Sequence, residues 1–270
     1  MKKYVYSEAK QVVVCGDIHG AFETLVYKAC VQYSMTDTVI IVAGDCGFGF
    51  EKPNYYTTLY NRLAERLRKA HNWVVFVRGN HDDPSYFNEE KVSYERFRCV
   101  TDYSVINVCG RNILCIGDAV SIDRKYRRAA NVRLERRGVA CYWPNELPVY
   151  DLSMIETISG YCSIDTVVTH TAPSFCPLQD KHGVRSWLLS DPELFGDLDK
   201  ERDIMDQIYS ELIKYNHQLE RWYYGHFHES ATTNIGNVIF KMLDIEEMCE
   251  LPLWPDLLLS ADISDADDEV

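Results

Sequence analysis

The chain has 270 residues, of which 46% are hydrophobic, and it carries a formal net charge of −13. This length suits one large domain with a buried core, and the acidic charge disfavours a general nucleic-acid binder, which normally carries a basic field. No apolar run reaches the ~20 residues of a membrane helix, and no signal peptide is recognisable. We therefore expect a cytoplasmic globular protein with no membrane partner and no stable nucleic-acid binding.

The ten cysteines include no Cys-x-x-Cys pair. Cys15, Cys109 and Cys115 lie in or beside apolar, strand-like runs. We expect them to be small core residues in a reducing compartment, and neither disulfides nor zinc ligands.

The first predicted strand ends in residue types that bind metals. Residues 12–14 are three valines, and Gly16, Asp17 and His19 follow them closely. A short β-branched run bounded by turn residues predicts a buried strand. An oxygen donor beside a nitrogen donor suits a divalent transition metal better than calcium. Taken alone, Asp-x-His also fits a turn closed by an Asx hydrogen bond.

The same pattern, an apolar strand followed by polar ligand types, occurs four more times. In chain order the later candidates are Asp45 after strand 39–43, Asn80 with His81 and Asp82 after strand 73–77, His170 after strand 166–169, and His226 with His228 after strand 222–224. Open α/β sheets place their sites at the carboxyl ends of the strands. Five such strands therefore predict one shared site.

The segments between these strands predict the architecture. Apolar residues at helical spacing predict helices over residues 21–34 and 52–70, so the first three strands form strand–helix–strand units of a parallel sheet. Short β runs around residues 109–112 and 236–237 predict two hairpins. The mixture fits two packed sheets with helices outside.

Three further parts of the chain lie outside this strand pattern. Residues 117–142 concentrate arginines in an acidic chain, either as a solvated face or as a flap that receives substrate phosphate. A predicted helix over 199–216 precedes His217, which we expect to be solvated, and His182 is expected at the surface. Residues 260–270 form an acidic tail whose composition predicts disorder.

In their order, the motifs Gly-Asp-x-His (16–19), Gly-Asp (44–45), Gly-Asn-His-Asp (79–82), a lone His170 and Gly-His-x-His (225–228) resemble the calcineurin-like metallophosphoesterases. The match covers roughly residues 12–243. The resemblance implies an αββα sandwich of two mixed β-sheets flanked by helices. From the chain length and the acidic tail, we expect a single domain over residues 1–259.

The resemblance also implies a division of ligands between two divalent transition-metal ions. Asp45 would bridge the ions; Asp17, His19 and His228 would hold the first, and Asn80, His170 and His226 the second. Four imidazoles favour manganese, iron, zinc or nickel over magnesium. A metal-bound water or hydroxide would be the nucleophile.

By the same resemblance, His81 is the candidate general acid or transition-state donor, with an indirect supporting role as the alternative. Asp82 either orients the His81 imidazole or is a turn residue. The motif at 44–49 lacks the second Asp and the Arg of the phosphoprotein phosphatase branch. Arg78, Arg124 and Arg127 are the candidates for the missing phosphate contact.

The predicted function is hydrolysis of a phosphomonoester or phosphodiester, a nucleotide or a nucleic-acid end being one class of substrate. A Ser/Thr phosphoprotein phosphatase is the alternative, which the missing Asp and Arg disfavour. A scaffold that has lost hydrolysis is a third interpretation, but it predicts eroded ligands, and all seven ligand positions are filled.

Overall fold

The structure is a computed structural model that describes residues 1–134, 136, 138–176 and 184–252. His182 and the acidic tail at 260–270 lie outside the described residues. In chain order the strands are β1 (Lys3–Tyr6), β2 (Gln11–Cys15), β3 (Thr38–Ala43), β4 (Trp73–Val77), β5 (Ser93–Tyr94), β6 (Phe97–Cys99), β7 (Ser104–Val108), β8 (Arg111–Ile116), β9 (Thr166–Thr169), β10 (Arg221–Tyr224), β11 (Ala231–Ile235), β12 (Val238–Met242) and β13 (Met248–Glu250). The helices are α1 (Phe22–Tyr27), α2 (Pro53–Ala70), α3 (Pro84–Asn88), α4 (Arg124–Leu134), α5 (Leu152–Ser159), α6 (Val184–Ser190) and α7 (Leu194–Lys214).

The described strands form two mixed sheets. One sheet has the order β13-β2-β3-β4-β6-β5, in which β2, β3, β4 and β6 are parallel and the two edge strands are antiparallel. The other has the order β1-β7-β8-β9-β10-β12-β11, with a parallel centre from β8 to β12. The predicted sandwich of two mixed sheets flanked by helices is confirmed.

The alternation of side chains along the strands builds three apolar layers. In β2, Val13 and Cys15 face the layer that includes α1 and α2. Val12 and Val14 face the second sheet, where they share a core with residues such as Ile113. Strands buried on both faces need continuous apolar sequence, which is why β2, β3 and β4 have it. Helices α5 and α7 cover the outer face of the second sheet.

Several predicted elements are confirmed and others differ. The helix over 52–70 and both hairpins are present. The segment predicted as one helix over 21–34 is α1 followed by a π-helical turn at Lys28–Gln32. Helix α7 begins five residues earlier than the predicted 199, at Leu194. The edge strands β1 and β13 were not predicted, because short edge strands carry a weak pattern.

The prediction that His217 is solvated is wrong. Its side chain is buried, with Nδ1 accepting the N–H of Ile164 at 2.9 Å and Nε2 2.9 Å from the hydroxyl of Ser159. The residue follows α7, but the chain turns inward there and uses the imidazole to satisfy a buried amide.

Among the described residues, no helix is both long enough and apolar enough to cross a membrane.

Candidate active site

The seven predicted ligands converge at one edge of the double sheet. Each of them follows the carboxyl end of a strand, from β2, β3 and β4 in one sheet and from β9 and β10 in the other. Parallel strands deliver their carboxyl ends to the same edge. Both sheets therefore contribute to a single cluster of carboxylates, imidazoles and one amide at this edge.

The first group of ligand atoms comes from Asp17, His19, Asp45 and His228, which each offer one atom within 4.8 Å of the others. Nε2 of His228 lies 3.1 Å from Oδ2 of Asp17 and 3.1 Å from Nε2 of His19. Nδ1 of His19 lies 3.9 Å from Oδ2 of Asp45. Such a set of nitrogen and oxygen donors could hold one metal ion.

The second group comes from Asp45, His170 and His226, again within 4.8 Å of one another. Nε2 of His170 lies 3.1 Å from Oδ1 of Asp45 and 2.9 Å from Oδ1 of Asn80. Nδ1 of His170 lies 2.8 Å from the carbonyl of Ala43, to which it can donate. With Nδ1 donating to that carbonyl, Nε2 is the ring nitrogen that faces the cluster and could bind a metal ion there. Asp45 is the residue that the two groups share.

The glycines before the ligands have a steric reason. A Cβ on Gly44, whose φ is +93°, would overlap the His170 ring, and a Cβ on Gly79 would overlap Asp45. A side chain at either position would push the ligands apart. The Gly-Asp and Gly-Asn pairs in the sequence thus mark places where backbone and ligand approach closely.

Four of the seven ligand candidates have a left-handed backbone, which is unusual for residues other than glycine. The φ angles are 43° for His19, 46° for Asp45, 69° for His226 and 51° for His228. Backbone conformations of this kind cost free energy and concentrate at functional sites.

The buried carboxylates of the cluster need positive charge beside them. Asp17 and Asp45 are 0% and 2% exposed. Burial alone would raise the pKa of Asp45, but the facing imidazoles, led by His170, hold it well below its usual range. Burial likewise would lower the pKa of His170, but Asp45 and Asp17 raise it to about 10. Two buried carboxylates thus demand cations, which either protons or metal ions can supply.

His81 lies beside the cluster. Its backbone N–H donates to Oδ1 of Asp45 at 2.7 Å, and its ring centroid is 5.4 Å from that of His19. Burial lowers the pKa of His81, with Asp45 opposing and the Arg127 guanidinium adding to the effect. The imidazole is therefore near the cluster and near a cation at the same time.

Asp82 adjoins His81 in sequence, but its carboxylate lies on the other side of the turn. It accepts hydrogen bonds of 2.7–3.0 Å from the N–H groups of Cys46, Gly47, Phe48 and Gly79. Burial, with Asp45, raises the pKa of Asp82 to about 6. These contacts shape the loop that follows Asp45, and they support the turn-residue interpretation of Asp82.

The three arginine candidates occupy different environments. Arg78 pairs with Asp102 and Asp118, and Arg124 pairs with Asp191 at 2.7 Å and Asp197 at 2.6 Å. Both guanidinium groups therefore already have carboxylate partners.

Arg127 differs from these two arginines. It is 5% exposed, and its Nη1 donates to Oγ of Ser121 at 2.8 Å. Its Nη2 is buried and has no hydrogen-bond partner among the described residues. A buried donor without a partner suits an absent acceptor such as a phosphoryl oxygen.

Two features of the site were not identified from the sequence. Asn80 Nδ2 donates to Ser121 Oγ at 2.7 Å, and Ser121 in turn bonds to Glu146. The Phe50 ring, which is 36% exposed, lies 6.4 Å from that of His81 and 5.4 Å from that of Trp143. Only the Phe50 feature had a sequence signal, an aromatic residue in the loop after a ligand.

Comparisons with known proteins concern the family and the fold of the chain. A family model described as calcineurin-like phosphoesterase matches residues 10–230. A Thermus thermophilus protein of known crystal structure is similar with a TM-score of 0.50 and 11% identity, over 91% of this chain and 99% of that chain. The phosphopantetheinyl hydrolase of Mycobacterium tuberculosis has a TM-score of 0.42 and 17% identity, over 89% and 91% of the two chains.

No match was found among curated protein sequences. The structural likeness, at such low identity, concerns the fold alone. The family match, in contrast, spans most of the chain, and the seven candidate ligands lie within the matched residues 10–230. The chain therefore belongs to the calcineurin-like phosphoesterase family, whose members are hydrolases that act on phosphoric ester bonds.

Proposed function

We propose that the protein hydrolyses a phosphomonoester or phosphodiester with two divalent transition-metal ions. The observation that carries this proposal is that Asp45 belongs to both groups of ligand atoms. Asp17, His19 and His228 would complete the site of one ion. Asn80, His170 and His226 would complete the site of the other.

The donor set fits such ions. Imidazoles with carboxylate and amide oxygens suit manganese, iron, zinc or nickel. When bound, paired ions supply Lewis acidity and lower the pKa of a coordinated water, which are the contributions that phosphoester hydrolysis needs. The neutral amide of Asn80 adds an oxygen donor without further negative charge. The contact of His170 Nδ1 with the carbonyl of Ala43 directs its Nε2 toward the cluster.

The residues beside the ligands have separate roles. His81 would donate a proton to the leaving oxygen, or a hydrogen bond to a phosphoryl oxygen, and the negative charge of a bound substrate favours its protonated form. Arg127 would bind a phosphoryl oxygen through the buried Nη2 that has no partner among the described residues. Phe50 and Trp143 would flank the leaving group on the His81 side.

The candidate substrate classes differ in how well they fit the residues of the site. A nucleotide or a nucleic-acid end is compatible with a phosphoryl-binding Arg127 and an aromatic wall at Phe50. A Ser/Thr phosphoprotein phosphatase is the second candidate. It is disfavoured because the segment 44–49 has neither the second Asp nor the Arg of that branch. A scaffold without activity is the third candidate. It is disfavoured because all seven ligand positions hold residues that can bind a metal ion.

The test is turnover of p-nitrophenyl phosphate and bis-p-nitrophenyl phosphate by protein stripped with a chelator and then supplied with manganese, zinc or nickel. We expect no turnover by stripped protein and restored turnover of at least one ester with at least one metal. Turnover that survives stripping, or no turnover of either ester under any metal, would contradict the proposal. The ratio of the two rates assigns the monoester or diester preference.

A further inference from the structure

We propose that Ser121 and Glu146 are positioning residues, which together set the orientation of the Asn80 amide and hold the Arg127 guanidinium. The inference rests on the proposed function, since it assigns Asn80 to a metal ion and Arg127 to the substrate. Neither Ser121 nor Glu146 needs to touch the metal or the phosphoryl group.

The two ends of the Asn80 amide differ in what they can bind. Only Oδ1 can bind a cation, because the NH₂ group is a donor without a free lone pair. The partner of Nδ2 therefore decides whether Oδ1 points toward the site. Nδ2 donates to Ser121 Oγ at 2.7 Å, and Oδ1 then lies 2.9 Å from Nε2 of His170.

The Ser121 hydroxyl uses its whole hydrogen-bonding capacity. A hydroxyl has one proton and two acceptor lone pairs. Ser121 Oγ accepts from Asn80 Nδ2 and, at 2.8 Å, from Arg127 Nη1, and its proton goes to a carboxylate oxygen of Glu146. Rotation of the hydroxyl would break at least one of these bonds.

Glu146 determines where the hydroxyl proton of Ser121 points. Its other oxygen accepts the backbone N–H of Ser121 at 3.2 Å, and one oxygen lies 4.0 Å from Nη1 of Arg127. The residue is 5% exposed. Burial raises the pKa of Glu146 to about 7, although the two bonds from Ser121 oppose the shift. Through its two hydrogen bonds, Glu146 fixes both the hydroxyl and the backbone of Ser121.

A buried glutamate holds the loop that carries Ser121 between β8 and α4. The N–H of the preceding residue, Val120, donates to Glu201 at 2.5 Å, and the same carboxylate accepts the hydroxyl of Thr171, next to His170. Glu201 is 1% exposed. The loop of Ser121 and the loop of His170 are therefore tied to one buried side chain, so the hydroxyl has a fixed position relative to the site.

The experiment measures manganese binding by titration calorimetry on chelator-stripped protein, and KM and kcat on the better aryl phosphate ester. The variants are Ser121→Ala and Glu146→Gln. We expect one of two binding events to weaken about 10–100-fold, the usual effect of removing a group that orients a ligand. The other event should keep the wild-type affinity, and KM should rise because Arg127 loses its anchor.

Matched controls come from buried residues outside the hydrogen-bond network of Ser121 and Glu146. Ser104→Ala removes an equally buried hydroxyl that bonds to Thr101. Asp165→Asn alters a buried carboxyl with the same types of partner as Glu146, namely a backbone N–H, a hydroxyl and an arginine. Both controls should keep wild-type manganese binding even where the thermal midpoint falls.

The outcomes separate the two proposals. Wild-type protein that binds none of manganese, zinc and nickel would overturn both. Wild-type protein that binds two ions and turns over substrate, with both variants folded and binding equally well, would overturn the positioning role alone. If Ser121→Ala fails to fold, Glu146→Gln decides in the same way.

Discussion

The two ends of the double sheet both bury charge, but they balance it differently. At the amino end, Arg111 at the start of β8 pairs with Asp165 and Glu220, at 3.3 Å and 2.7 Å. Its Nε and Nη2 also donate to the carbonyl of Pro252. At the carboxyl end, the ion-pair partners of Asp17 and Asp45 among the described residues are all imidazoles.

This difference distinguishes a structural ion cluster from a metal site. An arginine is always protonated, so the amino end carries its own permanent cation. An imidazole can be neutral, and in that form it leaves the two carboxylates uncompensated while offering nitrogen ligands. At the carboxyl end, the two carboxylates are therefore balanced either by protons on the imidazoles or by bound metal ions. The following predictions test this contrast.

The largest expected effect is that of Asp45→Ala at the carboxyl end. The loss of the shared carboxylate should lower hydrolysis on the order of 10⁴-fold, since Lewis-acid assistance is worth several kcal/mol. Steady-state turnover of the better ester measures it. Asp165→Ala, which removes a buried carboxylate at the amino end, is the control and should hydrolyse like the wild type. Similar losses in the two variants would remove the contrast.

His81→Ala should separate proton donation from metal binding. We expect hydrolysis to fall roughly 10²–10⁴-fold, the usual range for loss of an acid–base group, while metal content stays at the wild-type value. Rate measurements combined with elemental analysis would show this. A loss of metal in this variant would instead make His81 a ligand.

Arg111→Met should affect stability and leave the site unchanged. Removing the cation leaves Asp165 and Glu220 without their partner in a largely buried setting, which costs about 3–5 kcal/mol. Urea denaturation gives the free energy of unfolding, and calorimetry gives manganese affinity. Unchanged stability, or weakened manganese binding in folded protein, would show that the amino end does not act as a self-contained cluster.

Arg127 and Arg124 form a matched pair on helix α4. Arg127→Ala should raise KM roughly 10-fold or more with little change in kcat, because a charged hydrogen bond to substrate contributes about 1.5–3 kcal/mol. Arg124→Ala should change neither constant, because Asp191 and Asp197 already pair with its guanidinium. Equal effects of the two substitutions would refute the assignment of Arg127.

The smallest expected effect is a pH dependence at the amino end. Burial lowers the pKa of His217, so the folded state binds fewer protons there than the unfolded state does. Its contribution to stability is complete above the unfolded pKa and is lost as the pH falls through the lower folded pKa. Between pH of about 7.5 and about 5, wild-type protein should lose more stability in urea than His217→Gln. An equal loss would show that His217 is not the group responsible.

The central strands and the candidate ligands could be predicted from the sequence, because each candidate ligand closely follows an apolar run that forms a strand. Valine-rich runs that stop at a glycine predicted β2, β3 and β4, and the residues after them are the candidate ligands that the structure brings together. The structure also explains why glycine occupies positions 44 and 79, since a Cβ on Gly44 or Gly79 would overlap a candidate ligand.

Other assignments depend on contacts that no local pattern reveals. Glu146 reaches Ser121 from an irregular segment, at a separation of 25 residues. The three arginines look alike in sequence, and only their partners distinguish Arg127 from Arg78 and Arg124. His217 was expected in solvent because it follows a helix, but its imidazole turns toward the amide of Ile164.

The central claim is that the carboxyl end holds two ions through one shared carboxylate. Elemental analysis of protein saturated with manganese and freed of excess metal tests it most directly. The account predicts two ions per chain in the wild type and a loss of most of both in Asp45→Ala. A wild type with at most one ion, or a variant that retains one ion at full occupancy, would contradict it.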